Sequence, residues 1–210
     1  MNENDKTKIR QTVDFYNGLS RKYDTVYTAY LHHTHQQLLS HLDDLSGERI
    51  LDISCGTGLL AEHLLNRYTD LDLALNDPAD KMRMVAEGRM QGNLSIEFSD
   101  KPAEELTVKG EYFDRLICLN SFHYYADQQK AVENMRNALK PGGIIHILDW
   151  NLEGWFHLPN AIISGLSHEN INTRSVSEIE GMLVDRELVI TKRQKWSFWF
   201  WKFYMIEAKL

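Results

Sequence analysis

The residues best suited to bind a small ligand follow a short apolar run near residue 50. Residues 50–61 read ILDISCGTGLLA, with glycines at positions 56 and 58, just past the expected end of a buried strand. A glycine lets the backbone approach a ligand closely because it has no Cβ. The helix expected after residue 58 directs its first amides toward the same place. This spacing indicates a nucleotide or nucleoside site at a strand end.

The charge of Asp52 separates two kinds of ligand. The glycine spacing, continued to Ala61, also fits the G-x-G-x-x-A pattern of nicotinamide and flavin enzymes. The Asp52 carboxylate would repel a pyrophosphate but attract a ligand that carries an ammonium and a sulfonium. S-adenosylmethionine joins these two cations to a nucleoside. Asp52 could instead cap the glycine turn, and Asp77 could accept ribose hydroxyls in either class of protein.

Strands and helices alternate around these residues. Apolar runs predict strands at residues 49–53, 71–75, 94–98, 114–119 and 144–149. Helices are expected at residues 9–17, 22–45, 59–68, 127–139, 159–167 and 176–186, and between Pro78 and about residue 90. A turn is expected at residues 141–143. Strands that are joined by helical crossovers form an open, doubly wound sheet with helices on both faces.

The C-terminal end departs from this alternation. Two extended segments, residues 188–196 and 198–208, have no helix between them. Consecutive strands without a crossover must pair antiparallel. The predicted fold class is therefore α/β, with a Rossmann-like, mostly parallel sheet that ends in an antiparallel hairpin.

Several dispersed segments resemble class I S-adenosylmethionine-dependent methyltransferases of the small-molecule type. Residues 51–58 resemble the family's first motif, and residues 77–82 (DPADKM) resemble its acid-loop-Met segment. Residues 112–114 (YFD) resemble the start of its fourth strand, and residues 139–143 (LKPGG) its turn into the fifth. The resemblance covers about residues 20–150. Tyr23-Asp24 is similar to the segment that precedes the domain in quinone-biosynthesis members.

The resemblance implies S-adenosylmethionine as the cofactor and assigns contacts to it. The expected cofactor-binding residues are Tyr23, Asp52, Ser54, Cys55, Gly56, Thr57, Gly58, Asp77, Pro78, Met82, Asp100, Ala103 and Asn120. In this comparison Tyr23 helps to close over the methionine end, and Asn120 contacts the cofactor. Ser54 replaces the family's usual first glycine, which suggests an altered turn or a hydroxyl near the methionine group.

The adenine end matches the family pattern only loosely. The family usually has an acid just before a small residue, whereas here Lys101 and Pro102 separate Asp100 from Ala103. Asp100 is therefore either an adenine contact or a solvated loop acid.

Methyl transfer is an in-line displacement, which positioning and desolvation can accelerate without a covalent nucleophile. A hydroxyl or amine acceptor also needs a base. His123 is the best candidate, since histidine titrates near neutrality; alternatively it packs and bonds a backbone carbonyl. Asp149 and Trp150 are expected to face the same cleft, with Asp149 equally suited to a structural role. No metal is expected, because no carboxylate lies at ligand spacing from His32 and His35.

Composition restricts the range of partners and compartments. Lys and Arg total 23 against 30 Asp and Glu, a formal charge of −7, which disfavours nucleic-acid binding. Two cysteines without zinc spacing, a polar N-terminal segment and the lack of a long apolar run predict a reduced, cytoplasmic protein without a transmembrane segment.

Aromatic residues are concentrated at the C-terminal end. All five tryptophans follow residue 149, and seven of the nine residues 196–204 are aromatic. We expect these rings to pack against the last helices and complete the core, with 196, 198 and 200 on one face and 199, 201 and 203 on the other. They could instead line an acceptor pocket or form a homodimer surface at the sheet edge.

These observations predict an N-terminal helical cap at residues 1–45 and a class I methyltransferase domain at residues 46–210. The expected activity is methyl transfer from S-adenosylmethionine to a small molecule, with aromatic and lipophilic molecules among the candidate acceptors. Two alternatives stay open. One is an NAD(P)-dependent oxidoreductase, and the other is a non-catalytic cofactor-binding protein with a C-terminal interaction surface.

Overall fold

The structure is a computed structural model that describes residues 1–93, 95–107, 112–166 and 171–210. Within these residues seven strands form one sheet. The strands are β1 (Arg49–Asp52), β2 (Asp72–Asn76), β3 (Glu97–Ser99), β4 (Phe113–Leu119), β5 (Leu139–Trp150), β6 (Val189–Phe198) and β7 (Trp201–Lys209). Their order across the sheet is β3-β2-β1-β4-β5-β7-β6.

Eight α-helices occur in the same described ranges. They are α1 (Glu3–Leu19), α2 (Tyr23–Val26), α3 (Thr28–Leu39), α4 (Leu59–Arg67), α5 (Asp80–Arg89), α6 (Gln128–Ala138), α7 (His157–Leu166) and α8 (Val176–Val184). Short 3₁₀ turns lie at Ala103–Glu105, Phe122–Tyr124 and Gly154–Phe156.

The strand order has a switch point between β1 and β4. From β1 to β3 each strand is added on one side of β1, and β4 and β5 are then added on the other side. β1 pairs in parallel with both β2 and β4, and β4 pairs in parallel with β5. β7 is antiparallel to β5 and to the edge strand β6. The predicted mostly parallel sheet with a C-terminal hairpin is confirmed. The crevice beyond the carboxyl ends of β1 and β4 is where sheets of this topology bind ligands.

Successive residues of β4 enter two different core clusters. Leu116 packs in the cluster that contains residues of α6 and α8, whereas Ile117 packs with residues of α3 and α4. This alternation follows from the two-residue period of a strand. Helices therefore cover both faces of the sheet, as the sequence predicts.

The predicted single helix over residues 22–45 is wrong. It is divided at Tyr27, and α3 ends at Leu39. The hydroxyl of Thr28 donates to the carbonyls of Asp24 and Thr25 at 2.6 and 3.0 Å, and that of Ser40 donates to Gln37 O at 2.9 Å. Such side-chain bonds to the backbone compete with helix continuation.

The predicted turn at residues 141–143 is a bulge within β5. Phe113 pairs with Leu139, but Arg115 pairs with Ile144, so extra residues are accommodated between the two pairs. A Cβ on Gly143 would lie 2.9 Å from the Lys140 carbonyl oxygen, which excludes larger residues there. Strand β5 therefore begins earlier than the predicted residue 144.

Other predicted boundaries also differ from the structure, and the largest difference is in the first helix, which was predicted at residues 9–17 and is Glu3–Leu19. The third strand is Glu97–Ser99 rather than 94–98, and residue 94 lies outside the described residues. The helix predicted at 159–167 is α7, and residue 167 lies outside the described residues.

The aromatic hairpin completes the core, but against a different helix from the one expected. The turn has two residues, since Phe198 pairs with Trp201 and Trp196 pairs with Phe203. Directly paired residues share a face, so these four rings point the same way and the predicted grouping is wrong. They pack on α3: the ring of His33 stacks 4.0 Å from Phe198, and Tyr30 lies 5.5 Å from Trp201 between centroids.

Candidate functional site

The described residues form three clefts beyond the carboxyl ends of the central strands. The strand-end cleft, which includes Asp77, Pro78, Met82 and Ala103, has an empty volume of about 710 Å³. The loop cleft, which includes Asp52, Cys55 and Thr57, has about 380 Å³. The aromatic cleft, between the N-terminal helices and the hairpin turn, has about 1070 Å³. Tyr23 and Asn120 line all three, so these two residues mark the place where the clefts meet.

The glycine loop joins β1 to α4 in a left-handed backbone conformation. Gly56 has φ +56° and Gly58 has φ +76°, a region that residues with a Cβ adopt at a cost. The Gly56 amide donates to Asp77 Oδ2 at 2.8 Å, which joins the loop to the end of β2. A Cβ on Gly58 would lie 3.0 Å from the Cβ of Ala86, so this glycine allows α4 to approach α5. Gly58 does not line the three clefts.

Two buried carboxylates face this loop. Asp52 is 3% exposed, and burial raises its pKa to about 7. Burial likewise raises the pKa of Asp77 to about 6, although both its oxygens accept amide hydrogens, from Gly56 at 2.8 Å and Ala79 at 2.9 Å. The described residues that line the strand-end and loop clefts include no Lys or Arg. The site therefore favours a cationic ligand.

The remaining loop residues are fixed by neighbouring side chains. The Ser54 hydroxyl lies 2.8 Å from that of Tyr125. The Thr57 hydroxyl donates to Asp24 Oδ1 at 2.6 Å. Cys55 is buried, and burial raises its thiol pKa well above the ordinary value, so it is not a thiolate nucleophile.

Asn120, the residue after β4, is held in place by α3. Its backbone has φ +58°, a strained conformation for a residue other than glycine. Its Oδ1 accepts from the Tyr30 hydroxyl at 3.0 Å, and its Nδ2 donates to Thr34 Oγ1 at 2.8 Å. The Tyr30 hydroxyl also accepts from Trp150 Nε1 at 2.8 Å. Sequence reasoning did not anticipate Tyr30 because it lies far from these partners in the chain.

The structure does not bring Asp100 to the strand-end cleft. Asp100 is exposed and pairs with Lys101 Nζ at 2.9 Å. Ala103 lines the cleft, together with Glu104, which is 6% exposed. Glu104 Oε1 accepts from the amides of Ala126 and Asp127 at 2.7 and 3.3 Å. Sequence reasoning missed Glu104. The feature of the sequence that could have indicated it is the family's pattern of an acid beside a small residue.

His123 lies behind the clefts rather than on their surface. It is 2% exposed, and its Nδ1 lies 2.5 Å from Asp149 Oδ1. The ring stacks on Trp150 with centroids 4.1 Å apart, and Nε2 has no hydrogen-bond partner among the described residues. Its neighbour Tyr124 lines both the strand-end and aromatic clefts. A catalytic role for His123 stays a prediction, and this packing does not supply it with a route to a ligand.

The aromatic cleft has an uncharged lining. Its described residues include no Asp, Glu, Lys, Arg or His. They are Phe15, Tyr16, Tyr23, Tyr27, Tyr30, Asn120, Tyr124, Trp150, Ile162, Ile163, Ile171, Phe200 and Trp201. This lining suits an apolar or aromatic molecule rather than an ion.

His35 is a third residue that sequence reasoning did not place in the site. It lines the loop cleft, and its Nδ1 lies 3.2 Å from Nδ1 of His63 on α4. In the described part of the chain, no group of three or more His, Cys, Asp or Glu residues is arranged to hold a metal ion. The spacing of His32 and His35 in the sequence can be tested against a metal site, but it does not predict that His35 contacts His63.

Comparison with known proteins agrees with this topology. Residues 50–143 match the family model described as "Methyltransferase domain". The ubiquinone biosynthesis O-methyltransferase of Acinetobacter baylyi is 32% identical over 107 residues, which cover 49% of this chain and 44% of that protein. Across eight such relatives, the matched part spans between 40% and 49% of the relative's length.

Solved methyltransferases share the fold over nearly the whole chain. Magnesium protoporphyrin IX methyltransferase from Synechocystis PCC 6803 with bound SAH has a TM-score of 0.74 at 16% identity, covering 96% of this chain and 99% of the other. The N-methyltransferase NodS from Bradyrhizobium japonicum WM9, in complex with S-adenosyl-L-homocysteine, has a TM-score of 0.70 at 16% identity, covering 96% and 98%. Residues 50–143 therefore match a methyltransferase domain, and the chain as a whole shares the fold of these solved methyltransferases.

Proposed function

We propose that this chain binds S-adenosylmethionine across the strand-end and loop clefts and transfers its methyl group to a small molecule in the aromatic cleft. The observation that carries the proposal is the buried, incompletely neutralised carboxylate of Asp52. Its hydrogen bond from the Ser54 amide is long, at 3.4 Å. A ligand ammonium would supply the missing partner, whereas a pyrophosphate would add repulsion to the burial cost.

The residues present fit the other parts of this cofactor. Asp77, fixed by two amides, has lone pairs left to accept hydroxyls of a ribose. Pro78, Met82 and Ala103 offer an apolar surface for a flat base in the strand-end cleft. Tyr23 and Asn120, which line all three clefts, lie where the sulfonium would meet the acceptor. Direct contacts of all these residues with the cofactor are part of the proposal.

When bound, S-adenosylmethionine supplies a methyl carbon that is already activated by its sulfonium leaving group. The chain's own residues then have to orient the acceptor and exclude water. Three edge-packed rings are placed to exclude water, since Tyr16 lies 5.8 Å from Tyr23 and 5.4 Å from Tyr124 between centroids. The rings of Tyr16, Tyr23 and Tyr124 lie between the strand-end cleft and the aromatic cleft. Tyr23 and Asn120 lie where the clefts meet.

For the acceptor we infer an uncharged aromatic or lipophilic molecule. The aromatic cleft has no charged side chain in its described lining, and most of the residues that line it are aromatic or aliphatic. The relatives named for ubiquinone biosynthesis are O-methyltransferases, which supports a hydroxyl as the methylated group. His123 as the base for that hydroxyl remains a separate prediction.

Calorimetric titration tests the cofactor assignment. We expect S-adenosylmethionine to bind and NADH not to bind, and Asp52→Ala to weaken S-adenosylmethionine binding strongly. Tight NADH binding without S-adenosylmethionine binding would favour the oxidoreductase alternative and end this proposal. Unchanged affinity in Asp52→Ala would remove the role assigned to that residue.

A second experiment tests catalysis. Incubation with labelled S-adenosylmethionine and a panel of phenolic and lipophilic metabolites should transfer label to at least one acceptor. Cofactor binding with no transfer to any member of a broad panel would instead support the non-catalytic alternative.

The assembly and the location of the protein are separate proposals. A homodimer through the hairpin edge is still a prediction. β6 carries Lys192, Arg193 and Lys195, which are typical of edges protected against pairing. Analytical ultracentrifugation tests the homodimer, because a monomer at micromolar concentration would contradict it.

None of the helices in the described ranges is long and apolar enough to span a bilayer. Cell fractionation tests the predicted cytoplasmic location.

A further inference from the structure

The loop cleft has an acidic lining that suits only part of the proposed cofactor. That cofactor carries an α-carboxylate beside its ammonium. Asp52 suits the ammonium, but it repels the carboxylate. Because no Lys or Arg is among the described residues lining this cleft, the carboxylate needs a neutral hydrogen-bond donor. The donor must lie in the loop cleft and must not already be committed to another group.

Several donors around this cleft are already used inside the protein. The Thr57 hydroxyl donates to Asp24, and the Asn120 amide group donates to Thr34. Three loop amides are also committed. The amides of Cys55, Gly56 and Gly58 donate to Asn76 O, Asp77 Oδ2 and Cys55 O at 2.9, 2.8 and 2.9 Å.

His35 has a donor left over. It is 4% exposed, yet its ring lines the loop cleft together with Asp52. Its Nδ1 faces His63 Nδ1 at 3.2 Å, and Nε2 has no hydrogen-bond partner among the residues the structure describes. The ring therefore has one nitrogen held by α4 and one that remains for a ligand.

The contact with His63 determines which nitrogen of His35 carries a proton. Burial, and then the nearby His63 and Arg89, lower the pKa of His35 to about 3, so the ring is neutral at physiological pH. A neutral imidazole has one N–H. If His63 Nδ1–H donates to His35 Nδ1, the proton of His35 resides on Nε2, where it can be donated to a carboxylate.

We propose that His35 binds the α-carboxylate of the methionine moiety through Nε2–H, and that His63 is the positioning residue that orients it. This inference rests on the proposed function. Arg89, held between Asp24 and Glu62, adds a positive field to the same region. The loop cleft then contains a matched pair, with Asp52 for the ammonium and His35 for the carboxylate.

Three nucleosides distinguish binding of the ammonium by Asp52 from binding of the carboxylate by His35. S-adenosylhomocysteine has both the amine and the carboxylate, its decarboxylated analogue S-adenosyl-3-thiopropylamine has only the amine, and 5′-methylthioadenosine has neither. Calorimetry on the full chain should show that His35→Ala weakens S-adenosylhomocysteine binding by about tenfold or more, the scale of a lost charge-assisted hydrogen bond. The same variant should change the affinity for the other two by less than about twofold. Asp52→Asn should weaken both amine-bearing ligands and spare methylthioadenosine.

Matched variants separate a bound carboxylate from a structural effect. Gln places an amide N–H near the position of Nε2, so His35→Gln should retain more affinity for S-adenosylhomocysteine than His35→Asn. His32→Ala, an exposed residue on the same helix, should behave like the wild type. His63→Ala should remove the ¹⁵N NMR signature of an Nε2-protonated His35. Should His35→Ala not fold, the Gln and Asn pair gives the same comparison.

The failures of the two proposals are distinguishable. A wild-type chain that binds none of the three nucleosides contradicts the proposed function itself. A wild-type chain that prefers S-adenosylhomocysteine to its decarboxylated analogue, with the preference unchanged in His35→Ala and His35→Asn, overturns only the role of His35. If Tyr23→Phe removes that preference instead, the tyrosine hydroxyl binds the carboxylate. That result would also overturn the role of His35.

Discussion

Asp24 and Thr57 attach the N-terminal helices to the glycine loop. The Thr57 hydroxyl donates to Asp24 Oδ1 at 2.6 Å, and Asp24 Oδ2 accepts from Arg89. Arg89 also donates to Glu62 at 2.9 Å. Helix α2 is thereby tied to the loop, to α4 and to α5. Because Tyr23, the neighbour of Asp24, lines all three clefts, this connection sets how tightly the clefts are covered.

Removing the Asp24 carboxylate should loosen the cover. We expect Asp24→Ala to lower the free energy of unfolding by about 1–2 kcal/mol, as two partly buried hydrogen bonds are lost. Dissociation of S-adenosylhomocysteine, followed by stopped-flow fluorescence, should become several-fold faster, and Thr57→Val should show a smaller effect in the same direction. Asp14→Ala, an exposed acid on α1, serves as the control. Equal dissociation rates in Asp24→Ala and wild type would contradict a covering role.

The raised pKa of Asp52 predicts a pH-dependent affinity. Since the pKa is about 7, the carboxylate takes up a proton as the pH falls from 8 to 6, and its attraction for an ammonium is lost. S-adenosylhomocysteine should therefore bind progressively more weakly over that range, as measured by calorimetry. Methylthioadenosine, which has no ammonium, should show no such trend. Persistence of the trend in Asp52→Asn would assign it to another group.

The same pKa predicts the opposite effect on stability without ligand. A carboxylate whose folded-state pKa is raised contributes stability at pH values below its unfolded pKa, near 4, and loses it as the pH rises through about 7. Asp52→Asn should therefore stabilise the ligand-free protein at pH 8 by about 1–3 kcal/mol in urea unfolding, while it weakens ligand binding. Asp43→Asn, at an exposed acid, should not do so. A less stable Asp52→Asn protein at pH 8 would show that the ionised side chain has a partner.

Gly58 should tolerate no side chain, for two reasons. An added Cβ would lie 3.0 Å from Ala86 Cβ and 3.2 Å from Ala86 Cα, and the backbone has φ +76°. We expect Gly58→Ala to destabilise the protein by about 2–4 kcal/mol. Gly181→Ala on α8, where nothing lies within 4 Å of the new Cβ, should instead stabilise it by about 0.5–1 kcal/mol. Chemical denaturation measures both, and similar effects of the two substitutions would refute the packing argument.

Substitution of His123 separates a base from a packing residue. Because its ring is absent from the lining of the three clefts and bonds Asp149, we expect His123→Asn to lower stability by about 1–3 kcal/mol. In the same variant kcat with a saturating acceptor should fall less than about tenfold. A loss of about a hundredfold or more together with a missing limb in the pH–rate profile would instead establish His123 as the general base.

The hairpin turn should affect the acceptor but not the cofactor. Phe200 lines the aromatic cleft, whereas Trp199 does not and is 69% exposed. Phe200→Ala should raise the KM for an apolar acceptor by about fivefold or more, as ring contact is lost, with S-adenosylhomocysteine affinity unchanged. Trp199→Ala should leave both values near those of the wild type. An equal effect of the two substitutions would argue for a general change in the hairpin.

The sheet and the chemistry at its strand ends could be anticipated from local patterns. Strand and helix periods are local, and crossover handedness then restricts the topology. Asp52, Gly56 and Asp77 lie at or just after the ends of strands, so their meeting at one edge of a parallel sheet needed no knowledge of side-chain packing.

Contacts between distant segments required the folded chain. Asp24 and Thr57 are 33 positions apart, His35 and His63 are 28 apart, and Tyr30 and Trp150 are 120 apart. No local period encodes such pairs, because each depends on how one helix docks on another element.

The lining of the clefts depends on the same docking. Glu104, and not Asp100, lines the strand-end cleft, and the aromatic hairpin packs on α3 rather than on the last helices. Sequence patterns therefore identify the chemistry of the strand ends, since it depends on residues that directly follow strands which local patterns predict. Which side chains surround a ligand there is a property of long-range packing, which only the folded structure specifies.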